Sequence, residues 1–433
     1  MKTLPKDCVC VPVNRGELLV SPGLAVYCAV YADEMEALHA HLTDPSVSLP
    51  EALQTRLEKH GFYGAQRPLR PAYHLTQFQV TNACNLHCAY CSADSGKARE
   101  HEITLADVCR VIDGVLEIYP DSDISFSGGE PLIVPWLFEA VAYALEHTKG
   151  HVGILSNLLL LDRSEVLLEK LVSVMKRGVS VQMSFAAADR AVCDRLSGAE
   201  RYDIGMRVLS KLEARGVYPK IDLMLSAPDA QANVDAFADF RRSLAEDVKI
   251  SLGFLYPCGR ETGEHVFRDE DECERILDDL TFLGGVSIPA PSVSSLTNRR
   301  LGCTCIEHEN LYIRSDGGVF SCFKMVEQFG DISEGIKNVI ARRRKTPHKA
   351  AELAMCRACP FVSLCAGGCR ADNMILERSV RAPICGAWRV RLLAEMLFED
   401  RPYVMDWSVP HQLEEAKKRG IETPSFVIVG ARL

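Results

Sequence analysis

The sequence predicts an α/β fold built on a partial (β/α)6 barrel, an incomplete relative of the eight-fold TIM barrel. Short apolar runs alternate with helical segments through the middle of the chain, which is typical of βα units. The alternation repeats six times, whereas a closed barrel requires eight repeats. Connections of helix length favour parallel strands joined by right-handed crossovers. The six predicted strands cover residues 75–80, 124–126, 152–156, 181–185, 221–225 and 250–254.

Local signals support the helices between these strands. Thr104, with Asp107 three positions later, forms a plausible capping pair at the start of a helix over residues 105–119. Gly178 and Gly216 each follow a helical segment and supply its stop signal.

Composition narrows the class of protein. The chain has 433 residues, of which 47% are hydrophobic and 25% charged, and its formal net charge is −9. This apolar content supports a large core and excludes a disordered chain or a small disulfide-bonded domain. The net negative charge argues against non-specific binding to nucleic acid, so we expect no nucleic-acid partner.

The cysteine content predicts metal binding. Eighteen residues are cysteine. The N-terminus lacks a secretory signal, and no apolar run reaches the roughly 18 residues that a membrane span needs. We therefore expect a cytoplasmic protein with no membrane partner, where reduced thiols are more suited to holding metal than to cross-linking.

Changes in the strand, helix and cysteine patterns along the chain predict four regions. The first region is expected to contain strands over 17–20 and 24–30, then helices over 33–42 and 49–60. Strands followed by helices resemble a winged helix. Residues 1–75 carry 7 Lys and Arg against 8 Asp and Glu, which disfavours DNA binding. The predicted regions are a winged-helix-like domain at 1–72, the partial barrel at 73–290, a cysteine-rich domain at 291–395 and a tail at 396–433.

The first cysteine cluster directly follows the first barrel strand. Cys84, Cys88 and Cys91 have the spacing C-x3-C-x2-C. Three thiolates can hold three irons of a [4Fe–4S] cluster and leave the fourth iron open, as a reactive metal site requires. A structural zinc loop is the simpler alternative, and it would need a fourth ligand such as His87.

This cluster, with Tyr90 before its last cysteine, resembles that of the radical S-adenosylmethionine (radical SAM) enzymes. The resemblance implies that Cys84, Cys88 and Cys91 are the catalytic cluster ligands. It also implies that the open iron chelates S-adenosylmethionine (SAM). Reductive cleavage of SAM then gives a 5′-deoxyadenosyl radical that abstracts a substrate hydrogen.

The resemblance continues at the ends of later strands. Gly128, Gly129 and Glu130 look like the GGE segment, in which the glycines permit close backbone approach and Glu130 accepts from an ammonium group. Ser156 and Asn157 match the ribose contacts, and Arg195 is a candidate partner for the methionine carboxylate. The implied cofactor-binding residues are Tyr90, Gly128, Gly129, Glu130, Ser156, Asn157, Ser184, Arg195 and Leu225.

A second cysteine array resembles the SPASM extension of radical SAM enzymes, which holds two auxiliary [4Fe–4S] clusters. The resemblance assigns Cys322 and Cys369 to the first auxiliary cluster, together with Cys303, Cys305 or both. The number of upstream ligands decides whether that cluster keeps an open iron. The second auxiliary cluster is assigned to Cys356, Cys359, Cys365 and Cys385.

The other seven cysteines are expected to be ordinary thiols. Cys8 and Cys10 are the least certain of them, since an exposed pair could be redox-active.

Several functions share this architecture, and the N-terminal region is the feature that distinguishes among them. It looks like the recognition element of enzymes that modify ribosomally made peptides, which binds a leader peptide as an added β-strand. The sequence therefore predicts a precursor-peptide maturase that installs an intramolecular cross-link. A thioether from cysteine is favoured, and a carbon–carbon or ether cross-link is the close competitor. A flavodoxin- or ferredoxin-type electron donor is the implied second partner.

Three alternatives stay open at this point. Anaerobic sulfatase maturases would carry Asp directly after Cys322, where this chain has Phe323. A quinone- or mycofactocin-type peptide maturase is the second alternative. The third is a non-enzymatic iron–sulfur electron-transfer or sensor protein, which would leave the strand-end motifs without a role.

Overall fold

The computed structural model describes residues 3–65, 74–255, 257–266, 275–276, 279–280, 283, 286–287, 305, 309–324, 327–345, 349–371, 385–401, 404 and 409–423. The chain divides into two compact units. The first comprises Met1–Ala72, Ala290–Glu307 and Pro347–Val429, and the second comprises mainly Tyr73–Pro289 and His308–Thr346.

Strands are numbered in chain order. They are β1 Val9–Val13, β2 Gly16–Ser21, β3 Val26–Tyr31, β4 Leu75–Gln79, β5 Asp123–Ser127, β6 Val152–Ser156, β7 Ser180–Phe185, β8 Lys220–Leu225, β9 Ile250–Phe254, β10 Val286–Ser287, β11 Leu311–Ile313, β12 Gly318–Phe320 and β13 Gln328–Asp331.

Helices are numbered in the same way. They are α1 Met35–Thr43, α2 Glu51–Lys59, α3 Leu105–Leu116, α4 Leu137–His147, α5 Glu165–Lys176, α6 Arg190–Ser197, α7 Tyr202–Glu213, α8 Ala230–Arg242, α9 Ile336–Lys345, α10 Val362–Cys365, α11 Ala387–Phe398 and α12 Val409–Lys418. In the part of the chain that the structure describes, none of the helices is both long enough and apolar enough to cross a membrane.

The second unit contains the predicted barrel. Strands β4 to β9 lie side by side in sequence order and pair in parallel. Strand β11 extends the sheet in parallel beside β4, and β12 and β13 continue it as antiparallel strands. The described strands form an open sheet in the order β10-β9-β8-β7-β6-β5-β4-β11-β12-β13. The α/β fold with a partial (β/α)6 barrel is therefore confirmed.

Helices cover the apolar face of this sheet, and their ends follow the sequence signals. Thr104 and Asp107 form a capping box at the start of α3, in which each side chain bonds the other residue's backbone amide. Gly178 follows α5 with a φ of +98°, a conformation that costs glycine little. A single large core joins the strands to α3, α4, α5, α7 and α8.

The first unit begins with a three-stranded antiparallel sheet in the order β1-β2-β3, followed by α1 and α2. Sequence analysis missed β1. Side chains on one face of the sheet join an apolar cluster with α1 and α2 that includes Leu19 and Leu38. Side chains on the other face, Leu18 among them, share a second cluster with Leu393 and other residues of α11 and α12. The N-terminal sheet is therefore buried on both faces within its unit.

Candidate active site at the carboxyl ends of the parallel strands

The loop after β4 carries the first cysteine cluster, and hydrogen bonds close this loop on itself. The amide of Cys84 donates to the carbonyl of Gly96 at 2.9 Å, beside a bridge between Ala83 and Gly96. At the start of the loop, Glu102 accepts from the Asn82 amide at 2.7 Å. These contacts hold the loop at the carboxyl end of its strand, where reaction sites of parallel α/β folds lie.

The three thiols of this loop are free and half-buried. Backbone amides already point at two of the sulfur atoms: Leu86 donates to Cys84 Sγ and Ser95 donates to Cys91 Sγ, each at 3.4 Å. Burial raises the pKa of Cys84 to about 11 and also raises that of Cys88. These thiols need a metal to be ligands at neutral pH, because coordination removes the proton outright.

The distances between the sulfur atoms help to distinguish a site for an iron–sulfur cluster from a site for a single metal ion. The Sγ atoms of Cys84, Cys88 and Cys91 do not all lie within 4.8 Å of one another. A tetrahedral zinc with bonds of about 2.3 Å would require sulfur atoms about 3.8 Å apart. The wider spacing is more suited to a group of several irons than to a single zinc ion.

Gly128 and Gly129 pack directly against the cluster loop. A Cβ atom at Gly129 would lie 2.1 Å from the carbonyl oxygen of Ala83, and one at Gly128 would lie 2.7 Å from that of Thr81. The amide of Gly129 also donates to Thr81 at 2.8 Å. The backbone that approaches these glycines is therefore the loop that carries the thiols, whereas the sequence analysis expected a ligand there.

Glu130 is fully buried and joins the ends of neighbouring strands. One carboxylate oxygen accepts from Ser156 Oγ at 2.6 Å and from the Leu132 amide at 3.0 Å. The other accepts from the Asn157 amide at 2.9 Å. Burial raises the pKa of Glu130, and these three hydrogen bonds oppose the shift. A carboxylate has about four acceptor positions, so one position is left for a further donor.

Asn157 connects this group of residues to the cluster loop. Its side-chain amide donates to Asn85 Oδ1 at 2.8 Å, and its own Oδ1 accepts from the Leu159 amide at 3.0 Å. The structure therefore brings the end of β6, the segment after β5 and the cysteine loop together through short polar contacts.

The remaining predicted contacts lie in different surroundings. Tyr90 packs against the core, and burial followed by the Cys88 thiol raises its pKa well above the ordinary value. Leu225 ends β8 and is fully buried. Ser184 lies near the end of β7, where its carbonyl accepts from Arg201. The side chain of Arg195 is 54% exposed and forms an ion pair with Asp229.

Arg201 is a residue that the sequence analysis missed. It is fully buried between α6 and α7, with its guanidinium 5.2 Å from the centroid of the Phe185 ring. It opposes the rise in the pKa of Cys88, which places its charge near the cluster thiols. Its Nε and Nη1 atoms are buried without a hydrogen-bond partner in the described residues. A buried guanidinium with unused donors is suited to an anion.

Arg260 holds the cluster loop from the segment after β9. Its side chain donates to the carbonyls of Cys88 at 2.9 Å and Ser95 at 2.8 Å, and its amide donates to that of Cys91 at 3.0 Å. The preceding Gly259 has a φ of +65°, and a Cβ there would lie 2.2 Å from the Cys91 carbonyl. The Cys-Gly-Arg segment thus fixes the loop backbone.

Four cysteines of the second array meet in the first unit. Cys356, Cys359, Cys365 and Cys385 all line one small cavity. Burial raises the pKa of Cys356 and Cys359 to about 11, and the neighbouring thiols add to the rise. The Arg389 guanidinium, which lines the same cavity, opposes the rise at Cys359 and Cys385.

The other predicted auxiliary ligands are the cysteines assigned to the first auxiliary cluster. Cys305, Cys322 and Cys369 are half-buried, and Cys303 lies outside the described residues. Within the second unit, the buried Cys258 thiol has a pKa raised to about 11, first by burial and then by Cys322 and Cys91. Cys322 and Cys91 of the first cysteine cluster therefore both lie near Cys258.

Comparison with known families defines the class of protein. Residues 78–238 match the radical SAM superfamily, a segment that contains the cysteine loop and strands β5 to β8. Residues 78–238 thus form a radical SAM domain, and the chain is an enzyme.

Individual proteins resemble a larger part of the chain. Mycofactocin maturase MftC of Mycolicibacterium smegmatis is 27% identical over 330 residues, covering 71% of this chain and 80% of that protein. The crystal structure of Streptococcus suis SuiB bound to precursor peptide SuiA covers 88% of this chain and 98% of its own, at a TM-score of 0.54 and 14% identity. Native anSMEcpe with bound AdoMet and Cp18Cys peptide covers 80% and 100%, at a TM-score of 0.53 and 17% identity. The two structures support the fold.

Proposed function

We propose that this enzyme matures a ribosomally made precursor peptide by installing an intramolecular cross-link, with a thioether from cysteine as the favoured product. The observation that supports peptide maturation, as distinct from the type of bond formed, is the similarity to MftC over 330 residues, which is about twice the length of the segment 78–238 that matches the superfamily. The similarity thus extends beyond the radical SAM domain to most of a protein named as a mycofactocin maturase.

The strand-end residues fit a [4Fe–4S] cluster and SAM. In this proposal Cys84, Cys88 and Cys91 hold the cluster, and together the bound groups supply a carbon radical. The remaining acceptor position of Glu130 takes the SAM ammonium group. Asn157 and Ser156 orient the ribose.

We assign the SAM carboxylate to Arg201 instead of Arg195. Arg201 is buried near the cluster thiols, and two of its donor atoms have no partner among the described residues, whereas Arg195 is exposed and already paired with Asp229. A carboxylate would satisfy the buried guanidinium and would gain a charge-assisted hydrogen bond.

The second array is proposed to hold two auxiliary [4Fe–4S] clusters. The cavity lined by Cys356, Cys359, Cys365 and Cys385 supports one of them, because four thiols around one space are a complete ligand set. Cys322 and Cys369, with Cys305, Cys303 or both, are proposed for the other.

The precursor peptide is proposed to bind as an added strand on the N-terminal sheet. Strands β1 and β3 each pair only with β2 in the described residues, so each has an outer edge. Val9 on β1 is 42% exposed and Tyr31 on β3 is 47% exposed. Backbone pairing at such an edge gives affinity without a basic surface.

Formation of a thioether removes two hydrogen atoms from the peptide. One leaves a peptide carbon as a hydrogen atom and reduces the deoxyadenosyl group. The other leaves the cysteine thiol as a proton, and the remaining electron passes to an iron–sulfur cluster or to an external acceptor of the ferredoxin or flavodoxin class. In the proposal, the auxiliary clusters serve this electron transfer in the cytoplasm.

The proposal is tested by anaerobic co-expression of the enzyme with each small open reading frame found beside its gene. High-resolution mass spectrometry is expected to show a loss of two hydrogen atoms per cross-link, and fragmentation locates the bond. Alkylation with iodoacetamide distinguishes the products, since a cysteine in a thioether no longer reacts. A peptide of unchanged mass, obtained with an enzyme that cleaves SAM, would contradict the proposal.

A mycofactocin-type peptide maturase is the second candidate, and the similarity to MftC favours it directly. The same co-expression distinguishes it, because its product would keep every cysteine thiol reactive toward iodoacetamide.

A further inference from the structure

A thiol, a carboxylate and an imidazole meet on the N-terminal sheet, away from both cysteine arrays in the sequence. One ligand atom from each of Cys10, Glu17 and His39 lies within 4.8 Å of the other two. The tightest contact joins His39 Nε2 to Glu17 Oε2 at 2.6 Å.

The strand register explains why these side chains meet. Cys10 and Pro12 of β1 lie on the same face, because alternate residues of a strand share a face. Pro12 is opposite Glu17 of β2. Cys10 and Glu17 are therefore diagonal neighbours, a separation that side chains can bridge. His39 reaches the pair from α1, which packs on this face of the sheet.

The environment favours a bound cation. Glu17 is 8% exposed, and His39 is the only basic side chain that pairs with its carboxylate in the described residues. A carboxylate and a cysteine sulfur thus share a largely buried position with a single imidazole. A bound cation would balance the charges of the carboxylate and of a cysteine thiolate together, which one imidazole alone cannot do.

We propose that Cys10, Glu17 and His39 bind a zinc ion. Thiolate sulfur, imidazole nitrogen and carboxylate oxygen are the three donor types that zinc uses, at about 2.0 to 2.3 Å. Calcium and magnesium require oxygen ligands, so the sulfur and nitrogen donors disfavour them. The side chain of His39 is 51% exposed, so water can reach the site and complete the coordination.

Such an ion would join three elements that are otherwise connected by strand pairing and apolar packing. It would hold β1 to β2 and fix α1 over them, which stabilises one outer strand of the sheet. The site is independent of the proposed peptide chemistry, because none of its three residues contributes to either cysteine array.

The test uses the full-length enzyme with its iron–sulfur clusters reconstituted. The protein is exposed to zinc sulfate alone, dialysed against a weak chelator and analysed for zinc and iron by plasma mass spectrometry. About one zinc per chain is expected, and His39→Ala should lose most of it without loss of iron. His39 is exposed on a helix, so this variant should fold; Glu17→Gln provides a second variant of nearly the same shape.

Matched controls are available in the second unit. His147→Ala removes an exposed helical histidine, and Cys109→Ser removes a half-buried helical cysteine. Both controls should keep the zinc. As a second readout, zinc should slow amide hydrogen exchange in β1 and β2 of the wild type but not of His39→Ala. The proposal is overturned if the wild type retains no zinc after dialysis, or if His39→Ala and Glu17→Gln retain as much as the wild type does.

Discussion

At the scale of single residues, Arg201 carries a buried charge with unused hydrogen-bond donors. Its guanidinium is fully buried, one nitrogen bonds the Ser184 carbonyl, and two nitrogens have no hydrogen-bond partner in the described residues. A buried donor without a hydrogen-bond partner destabilises the folded protein, and an anionic ligand that accepts from it would remove this penalty.

Replacement of Arg201 should therefore weaken SAM binding. We expect Arg201→Gln to lose about 2 kcal/mol of SAM binding free energy, which corresponds to a roughly 30-fold higher Kd. Equilibrium dialysis with labelled SAM measures the Kd, and iron analysis shows whether the cluster is retained. Arg201→Lys keeps the charge and should restore part of the affinity.

Arg195→Gln is the matched control. Because Arg195 is exposed and paired with Asp229, its loss should change the SAM Kd by less than about threefold. If the SAM Kd rises more in Arg195→Gln than in Arg201→Gln, Arg195 binds the SAM carboxylate, as predicted from the sequence.

Sequence analysis identified the site residues whose signal is local. Cys84, Cys88 and Cys91 fall within eight consecutive residues, so their spacing alone indicates a shared loop. Arg201 has no such signal. It lies more than a hundred residues from the loop, and its position depends on how α6 and α7 pack against β7.

At the scale of elements, contact between two backbone segments fixes the cluster loop. A side chain at Gly129 would collide with the Ala83 carbonyl, a backbone atom that cannot move without shifting the loop. The glycines therefore serve loop packing, which is a second reason for the GGE motif besides ligand approach.

Gly129→Ala should consequently disturb the first cluster. We expect the variant to lose about four of its irons, with a destabilisation of about 1–3 kcal/mol from overpacking. Iron content and the thermal melting temperature measure the two effects.

Gly96→Ala provides the control in the same loop. The nearest atom that its Cβ would meet is His87 Nδ1 at 4.0 Å, so this variant should keep its iron. Equal iron loss in both variants would mean that any substitution at this loop releases iron. It would contradict the argument that the Gly129–Ala83 contact is responsible.

Among the elements, the barrel was predictable and β1 was not. The barrel strands are apolar runs separated by helices with clear stop signals, so all six were found. In contrast, β1 contains Cys10 and Pro12, and proline lowers the strand signal even though an edge strand tolerates it. Pairing with β2 overrides that local signal.

At the scale of the whole molecule, the first unit joins the N-terminal sheet to helices from the segment Pro347–Val429. Leu18 of the N-terminal sheet and Leu393 of α11 belong to one apolar cluster, and both are almost fully buried. Sequence analysis placed these residues in separate predicted regions, since no local pattern indicates contact across more than 370 residues. Deleting residues 1–70 would expose this cluster, so point variants are the better test of leader binding.

Leu393→Ala should destabilise the N-terminal sheet, although Leu393 is far from it in the sequence. Removing a buried leucine costs about 2–5 kcal/mol, and we expect faster hydrogen exchange in β1–β3 and weaker binding of the leader peptide. Hydrogen exchange mass spectrometry and peptide titration measure both. Leu171→Ala, a matched core substitution in the second unit, should leave the exchange of β1–β3 unchanged. If the two variants affect β1–β3 equally, the shared cluster does not support the sheet.

The central claim is that three thiols at the end of β4 carry the radical chemistry, and that the other cysteine array holds separate clusters. The most direct measurement is the amount of 5′-deoxyadenosine formed from SAM and dithionite by anaerobically reconstituted enzyme, with iron analysis of the same samples. The wild type should form it, whereas the Cys84→Ala, Cys88→Ala, Cys91→Ala triple variant should form none and retain about eight of about twelve irons. Continued formation of 5′-deoxyadenosine by the triple variant would contradict the account.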